Sequence, residues 1–242
     1  MRLLIVRHAD PDYSIDSLTP AGWEEAKLLA DRLAPIPVAA YYVSPLGRAK
    51  DTASLTLKKA SRTAETCGWL REFAPQAVHP GKDSGHCVWD WLPDAWMAEP
   101  KYFDKDHWYE TEVFQNAHVK EEYDWVTGEL DRLLRRHGYE RNGLFYRAVA
   151  PNEDTIVLFC HFGVECVLLS HLLNISPMQL WHGTCAAPSS VTVLYTEERR
   201  SGIASFRMSR FGDVSHLYAG GREPSFAARF CEVYTRFDQR HD

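Results

Sequence analysis

The chain has 242 residues, of which 45% are hydrophobic and 25% are charged, so it can bury a sizeable core and is not expected to be disordered. Its formal net charge of −6 argues against a nucleic-acid-binding protein, which needs a basic face. No apolar stretch approaches the roughly 20 residues that cross a bilayer, and the N-terminal apolar run is too short for a signal peptide. We therefore expect a cytoplasmic protein without membrane contacts.

The first part of the chain alternates predicted strands and helices. Residues 2–6 form an apolar run typical of a buried strand, and Thr19 is the expected N-cap of a helix whose first residue is a proline. Residues 38–43 predict a second strand, after which Ser44 begins another helix with Arg48 in its first turn. This alternation indicates an α/β fold with a parallel sheet.

The segment from about residue 74 to residue 117 has no regular periodicity, many aromatic residues, and eight carboxylates against three lysines. We interpret it as part of a cap insertion at about residues 74–150 in a single domain that spans residues 1–242. Its aromatic residues either hold the organic part of a substrate, with Trp89 and Trp91 as candidates, or pack on themselves or on a second copy of the chain in a homodimer. The second interpretation is favoured.

Apolar residues from Tyr123 to Leu134 predict an amphipathic helix that ends near Gly138. Three further strands are predicted after it: residues 156–160, 191–195 and 203–208. The first of them is wholly apolar, as expected in the middle of a parallel sheet, and a helix through Leu173 follows it. The other two are expected to form a hairpin with its turn at residues 197–200.

Two histidines directly follow apolar strands in this pattern. Because the carboxyl ends of parallel strands meet at one edge of a sheet, His8 and His161 should lie there together with Arg7. Arg48 begins a helix after another strand, and helix N-termini favour anions. A neutral imidazole can act as a nucleophile, while guanidinium groups hold an anion and lower the pKa of a nearby histidine. The set predicts a phosphate-binding site and phosphoryl transfer through histidine.

Other polar residues are less specific. A leaving alkoxide needs a proton, and by position Glu72 and Asp10 are the candidate acids, although Asp10 is more simply explained as the cap of a turn. His182, in a loop between a tryptophan and a glycine, is a candidate substrate-binding residue. His216 either orients the site or caps a turn, and the turn is favoured.

Three parts of the chain resemble motifs of the histidine phosphatase superfamily, which includes phosphoglycerate mutases, and they occur in the family's order: residues 3–9 with 18–22, residues 44–53 and residues 160–163. The resemblance implies a three-layer α/β/α fold with a mostly parallel central sheet and no metal or other cofactor. It implies that His8 is a nucleophile forming a phosphohistidine that water then hydrolyses. Arg7, Arg48 and His161 would surround the phosphoryl group, and Glu72 would be the acid.

The chain also departs from the mutases of this family. Mutases usually have an asparagine that contacts phosphate six residues after the nucleophile, where this chain has Ser14, a candidate substrate-binding residue. The segment between His8 and Thr19 is shorter than in mutases, and no Trp-Glu-Gly sequence follows Glu72. These departures weaken the mutase expectation and leave the phosphatase motifs intact.

We therefore expect a metal-independent phosphomonoesterase of the histidine acid phosphatase type that acts on a small phosphorylated metabolite. A phosphoglycerate mutase-like phosphotransferase is the first alternative, and a non-catalytic protein that binds a phosphorylated ligand is the second. The acidic cap predicts a substrate with one phosphate on a neutral, aromatic or cationic body, because it would repel a polyanion. The expected partner is this small molecule, and neither nucleic acid nor a membrane.

Overall fold

The computed structural model describes residues 1–79, 82–225 and 233–238. The strands in this part of the chain are β1 (Arg2–Arg7), β2 (Pro11–Asp12), β3 (Ser17–Leu18), β4 (Ala40–Val43), β5 (Glu65–Thr66), β6 (Gln76–Val78), β7 (Gly85–Cys87), β8 (Tyr139–Asn142), β9 (Phe145–Ala148), β10 (Thr155–Cys160), β11 (Val191–Arg200) and β12 (Ile203–Asp213). The helices are α1 (Pro20–Leu33), α2 (Gly47–Ala60), α3 (Pro93–Met97), α4 (Glu112–Asn116), α5 (Val119–Arg136), α6 (Phe162–Leu173), α7 (Pro177–Gly183) and α8 (Ser215–Ala219), with short 3-10 helices at Gly68–Leu70 and Pro100–Phe103.

The central sheet of the described chain has eight strands in the order β5-β4-β10-β1-β11-β12-β9-β8. Strands β5, β4, β10 and β1 are parallel, which confirms the predicted α/β fold. From β11 onward each strand is antiparallel to its neighbour, so the sheet is mixed and only its core is parallel. Hairpins join β11 to β12 and β8 to β9, and a hairpin connection can only pair strands in the antiparallel direction.

Helices cover both faces of the sheet and give the predicted three layers. In β1, Leu4 and Val6 pack with α1 and α2 on one face, whereas Leu3 and Ile5 pack with α5 and α6 on the other. A strand that is buried on both faces must be apolar throughout, which explains the continuous apolar runs in β1 and β10. None of the helices in the described part of the chain combines the length and hydrophobicity that a membrane span needs.

The helix starts that position the site agree with the sequence patterns to within a few residues. Thr19 caps α1 as predicted, since its hydroxyl accepts a hydrogen bond from the Gly22 amide at 3.0 Å. Helix α2 begins at Gly47 and not at Ser44, because the Ser44 hydroxyl accepts the Leu46 amide at 3.2 Å and holds a turn before the helix. Arg48 still lies in the first turn of α2.

The late hairpin differs from the prediction in the position of its turn. Strand β11 extends through residues 197–200 and pairs there with β12, so the chain reverses at Gly202 instead. The φ angle of Gly202 is +75°, a left-handed conformation that glycine adopts without steric cost. An ion pair between Arg207 and Glu197, 2.7 Å apart, joins the two strands where the turn was expected.

The expected cap range of residues 74–150 is too long at its C-terminal end. Strands β8 and β9 lie inside that range, yet they pair with each other and with β12 in the central sheet. The four-residue strands were missed because a short polar segment carries little periodicity. The segment before α5 packs much as the favoured interpretation describes, because most of its large aromatic side chains are buried in a cluster with α5 and α7: Trp91, Trp96, Tyr102, Trp108 and Phe114.

Candidate active site

The paired strands β1 and β10 bring two histidines together. Arg7 and Cys160 are register partners, so the residues that follow them, His8 and His161, leave the sheet side by side. The centroids of the two imidazole rings are 5.0 Å apart, and both side chains are almost completely buried. The convergence that the sequence predicted at this edge of the sheet is therefore present in the structure.

The hydrogen bond of His8 determines which ring nitrogen is free. Nδ1 lies 2.8 Å from the carbonyl oxygen of Ala9. A carbonyl oxygen can only accept, so Nδ1 carries the proton and Nε2 keeps its lone pair. Burial, together with the charges of Arg7 and Arg48, lowers the pKa of His8 to about 3 and outweighs the opposing effect of its hydrogen bond to the Ala9 carbonyl. His8 is therefore neutral at physiological pH, with a nucleophilic Nε2.

His161 occupies the N-cap position of α6 and is held by the residue that follows a neighbouring strand. Its Nε2 atom lies 2.8 Å from the hydroxyl of Ser44, directly after β4. Burial, followed by the proximity of His8, Arg48 and Arg7, lowers its pKa well below the ordinary value. Nδ1 is buried and has no hydrogen-bond partner among the described residues. A buried polar atom without a partner is costly, and a phosphoryl oxygen could satisfy it.

Two arginines flank the histidines, and each is fixed on one side only. Arg7 donates from Nη1 to the carbonyl of Ala186, and Arg48 donates from Nη1 to Asp16 at 2.6 Å. In both arginines Nε is buried and has no partner within the described chain. The guanidinium groups therefore retain donors for an anion, and a planar guanidinium can bind two phosphate oxygens at once.

Sequence reasoning missed Asp16, which lies at the same corner of the site. Its carboxylate accepts hydrogen bonds from Arg48 and from the Gly47 amide, the latter at 2.6 Å, and so occupies the first N–H of α2. Burial tends to raise the pKa of Asp16, but these hydrogen bonds outweigh it and lower the pKa below its ordinary value. The sequence indication is weak. The structure gives Asp16 a φ of +48°, and aspartate is one of the residue types that tolerate such a turn conformation better than most.

Glu72, the first candidate acid, lies beside the N-terminus of α6. Its Oε1 atom accepts hydrogen bonds from the amides of Phe73 at 2.8 Å and Val164 at 3.0 Å. Burial raises the pKa of Glu72 and outweighs the opposing effects of these hydrogen bonds and of Arg7. A proton on Glu72 is thereby favoured, as a general acid requires. Asp10, the other candidate, instead accepts a hydrogen bond from the Thr19 hydroxyl at 2.6 Å.

The remaining candidates lie at different distances from this centre. Trp89 is near Glu72, because a Cβ atom built on Gly163 would lie 2.6 Å from Trp89 Nε1 and 2.7 Å from Glu72 Oε1. Ser14 lies in the exposed turn between β2 and β3 and bonds to Asp12 at 2.5 Å.

Two other candidates lie in the contact between the cap and α7. Trp91 stacks on His79, with ring centroids 4.2 Å apart. His182 accepts the Trp91 amide at 3.1 Å, donates to the Met178 carbonyl at 2.8 Å and stacks on Trp96. These contacts account for both ring nitrogens of His182.

His216 is linked to the segment of His8 through one intermediate residue. Its Nε2 atom lies 3.1 Å from the Ser189 hydroxyl, and the Ser189 amide donates to the carbonyl of His8 at 3.0 Å. The turn after β12 does not use the imidazole as a cap, since the Ser215 amide is bound by Asp213 instead. The structure thus supports the orienting role of His216 over the favoured capping role.

Gly163 offers a test of how closely Glu72 is positioned. In the Gly163→Ala variant the new methyl group overlaps Glu72 Oε1 and Trp89, so we expect kcat to fall by about 10- to 100-fold as the acid is displaced. Steady-state kinetics with a phosphomonoester measures this. The matched control is Gly128→Ala in α5, where a Cβ atom meets nothing within 4 Å. It should keep full activity and gain about 0.5–1 kcal/mol of stability; equal kinetics in the two variants would contradict the prediction.

Glu165, in the first turn of α6, is a second buried carboxyl at this edge. Burial, with a contribution from the charge of Glu72, raises the pKa of Glu165 to about 7. The Thr192 hydroxyl and the charge of Arg7 act in the opposite direction but are outweighed. The ordinary value of this pKa is 4.5. Below pH 4.5 the carboxyl is protonated in the folded and unfolded states alike. As the pH rises to 7, the unfolded chain loses this proton before the folded one does, so stability falls.

This difference predicts the pH dependence of one variant's stability. Because glutamine cannot ionise, Glu165→Gln should become more stable relative to the wild type as the pH rises from 4.5 to 7, by about 3 kcal/mol in total. Urea unfolding at pH 5 and pH 8 measures the difference. Glu112→Gln, at an exposed position of α4, is the control and should show the same difference from wild type at both pH values. A gain at pH 5 as large as that at pH 8 would be the contrary result.

Residues 3–208 match the family model of the histidine phosphatase superfamily (branch 1). The chain belongs to this superfamily. The matched range includes the arginines, the histidines and Glu72, so the predicted family is confirmed. No curated protein sequence matches the chain.

Solved structures of the superfamily share the fold at low sequence identity. The chain is similar to a phosphoserine phosphatase mutant of Entamoeba histolytica in complex with phosphoserine, with 18% identity, a TM-score of 0.56, and coverage of 89% of this chain and 98% of the other. It is also similar to a mycobacterial glucosyl-3-phosphoglycerate phosphatase in complex with VO3, with 19% identity, a TM-score of 0.55, and coverage of 87% and 98%. A third similar structure is YhfR of Bacillus stearothermophilus, with 19% identity, a TM-score of 0.55, and coverage of 89% of this chain and 98% of the other. At these identities the neighbours show that the fold is shared.

Proposed function

We propose that the protein is a phosphomonoesterase that transfers the phosphoryl group of a small metabolite to His8 and then to water. The observation that carries this proposal is the state of His8: a neutral imidazole with a free Nε2, 5.0 Å from the ring of His161 and close to Arg7 and Arg48. A protein that only bound a phosphorylated ligand would not need a nucleophile in this state.

In the first step the lone pair of His8 Nε2 attacks the phosphorus atom and the ester P–O bond breaks. The bonding electrons move to the departing alkoxide, which takes the proton of Glu72. The free donors of Arg7 and Arg48 and the Nδ1 side of His161 stabilise the charge on the phosphoryl oxygens. The product alcohol leaves, and the phosphoryl group remains on His8.

In the second step water attacks the phosphohistidine. Glu72, now a carboxylate, accepts a proton from the water molecule, and the P–N bond breaks with its electrons returning to Nε2. Inorganic phosphate leaves, and Glu72 and His8 are in their starting states again. A mutase would instead return the phosphoryl group to a bound product before water attacked. The serine at position 14 and the short segment after His8 favour the hydrolase.

The test is a panel of phosphomonoesters assayed for phosphate release in the presence of a chelator, with and without a bisphosphate primer. We expect release without primer and without added metal. Turnover of phosphoglycerates only with primer would replace this proposal with the mutase. No release from any ester, together with tight binding of phosphate, would favour the binding protein, and loss of activity on chelation would favour a metallohydrolase.

A further inference from the structure

The β2–β3 hairpin presents an unusual pair of side chains beside the phosphate-binding arginine. Tyr13 is 69% exposed and Ile15 is 68% exposed, both in the turn between the two strands. Large hydrophobic residues that protrude singly are common, but two on one short turn next to an active site are a candidate contact for a ligand.

The hairpin is fixed relative to Arg48. The ring of Tyr13 lies over the guanidinium, with its centroid 5.4 Å from Cζ, while Asp16 binds both Arg48 and the Gly47 amide. The Gly47 backbone is also in such close contact with the Asp16 carbonyl that a Cβ atom could not be accommodated. A phosphoryl group bound by Arg48 would therefore hold its organic substituent within reach of a rigidly placed aromatic ring.

The charge of the hairpin restricts the rest of the substrate. Residues 11–18, which form the hairpin, contain no basic side chain, and they carry the carboxylates of Asp12 and Asp16. Asp51 of α2 adds a third, bound to the Ser17 hydroxyl at 2.5 Å. A second phosphate on the substrate would meet these carboxylates and find no cation on the hairpin.

We propose that Tyr13 and Ile15 form the site for the substrate's organic part, and that the preferred substrate carries a single phosphate on an aromatic body. This inference rests on the proposed function. The ring of Tyr13 packs against the aromatic ring of the substrate, and Ile15 extends the apolar surface. Tyr13 is then a specificity-determining residue in addition to its contact with Arg48.

The experiment compares benzyl phosphate with ethyl phosphate, because both release a primary alcohol and differ only in the ring. In Tyr13→Ala, kcat/KM for benzyl phosphate should fall about five- to tenfold, mainly through KM, and the fall for ethyl phosphate should be about twofold. Tyr13→Phe should retain most of the wild-type value for benzyl phosphate. Tyr218→Ala, which removes an exposed tyrosine from α8, is the control and should leave kcat/KM for both substrates unchanged.

A second comparison tests the charge. The bisphosphate ester of 1,4-benzenedimethanol adds one phosphate to the same ring, and the wild type should hydrolyse it at least tenfold less efficiently than benzyl phosphate. Equal losses on benzyl and ethyl phosphate in Tyr13→Ala would reduce Tyr13 to a residue that positions Arg48. Hydrolysis of the bisphosphate as efficient as that of benzyl phosphate, or a preference for the bisphosphate, would also overturn the inference.

The proposed function and the substrate inference fail on different outcomes of these assays. If the wild type hydrolyses neither ester, the proposed function fails. If it hydrolyses both and the Tyr13→Ala variant leaves their ratio unchanged, only the substrate inference fails. Thermal unfolding midpoints equal to that of the wild type show that the hairpin variants retain the fold, so that a kinetic change reports on the site.

Discussion

Replacement of His8 by alanine is expected to lower phosphate release by at least about 10⁴-fold, because it removes the free, neutral Nε2 atom that we propose as the nucleophile. Hydrogen bonds and charges around the phosphoryl group would remain and leave a small residual rate. Steady-state assays with one phosphomonoester measure the loss. His118→Ala, at an exposed histidine before α5, is the matched control and should retain wild-type activity.

Trapping of the intermediate gives a second readout for the same variant. Wild-type protein quenched in alkali after brief exposure to labelled substrate should carry one acid-labile, alkali-stable phosphoryl group, as expected for a P–N bond. His8→Ala should carry none while it still binds inorganic phosphate through the arginines. A labelled His8→Ala variant, or activity within about tenfold of the wild type, would assign the nucleophile to another residue.

Replacement of Glu72 by glutamine is expected to have an effect that depends on the leaving group. Glutamine keeps the size of the side chain and an oxygen for the Phe73 and Val164 amides, but it has no proton to give. For an alkyl phosphate, kcat should fall by about 10²- to 10⁴-fold. For p-nitrophenyl phosphate the fall in the phosphorylation step should be far smaller, because nitrophenolate leaves without protonation.

The pH profile provides an independent check on Glu72. Since burial raises the pKa of this carboxyl, the wild-type rate with an alkyl phosphate should decline as the pH rises through that pKa and the acid loses its proton. The glutamine variant should lack this decline. Glu165→Gln, which removes the neighbouring buried carboxyl, should affect alkyl and nitrophenyl phosphates to the same extent. An equal loss of kcat/KM, which reports the phosphorylation step, on the two esters in Glu72→Gln would exclude Glu72 as the acid.

Local patterns were sufficient for the elements that carry the arginines and histidines. The apolar runs of β1 and β10 are long enough to mark buried strands, and the cap at Thr19 marks a helix start without any tertiary information. The hairpin turn was misplaced because residues 197–200 are polar and resemble a loop, whereas in the structure they continue β11 as its exposed end. Exposure of one face allows polar residues in a strand, and polarity alone does not reveal it.

The roles within the site were harder to infer. Asp16 belongs to no motif, and its contact with Arg48 spans 32 residues of chain, so only the folded hairpin places its carboxylate at the start of α2. His216 is a similar case, because its link to His8 passes through the hydroxyl and amide of Ser189. Such contacts depend on how separate segments pack, and neither residue spacing nor propensity encodes them in a readable form.

By itself the amino-acid sequence determined the longer strands and helices that carry the site, the family, and the identity of the arginines and histidines at the strand and helix ends. These properties follow from local periodicity, from capping and from contiguous motifs. Only the tertiary structure decided that the two imidazoles lie 5.0 Å apart, that half of the sheet is antiparallel, and that burial keeps His8 neutral and favours a proton on Glu72. Strand register and desolvation are set by contacts between residues far apart in the chain, and they exist only once those residues are packed together.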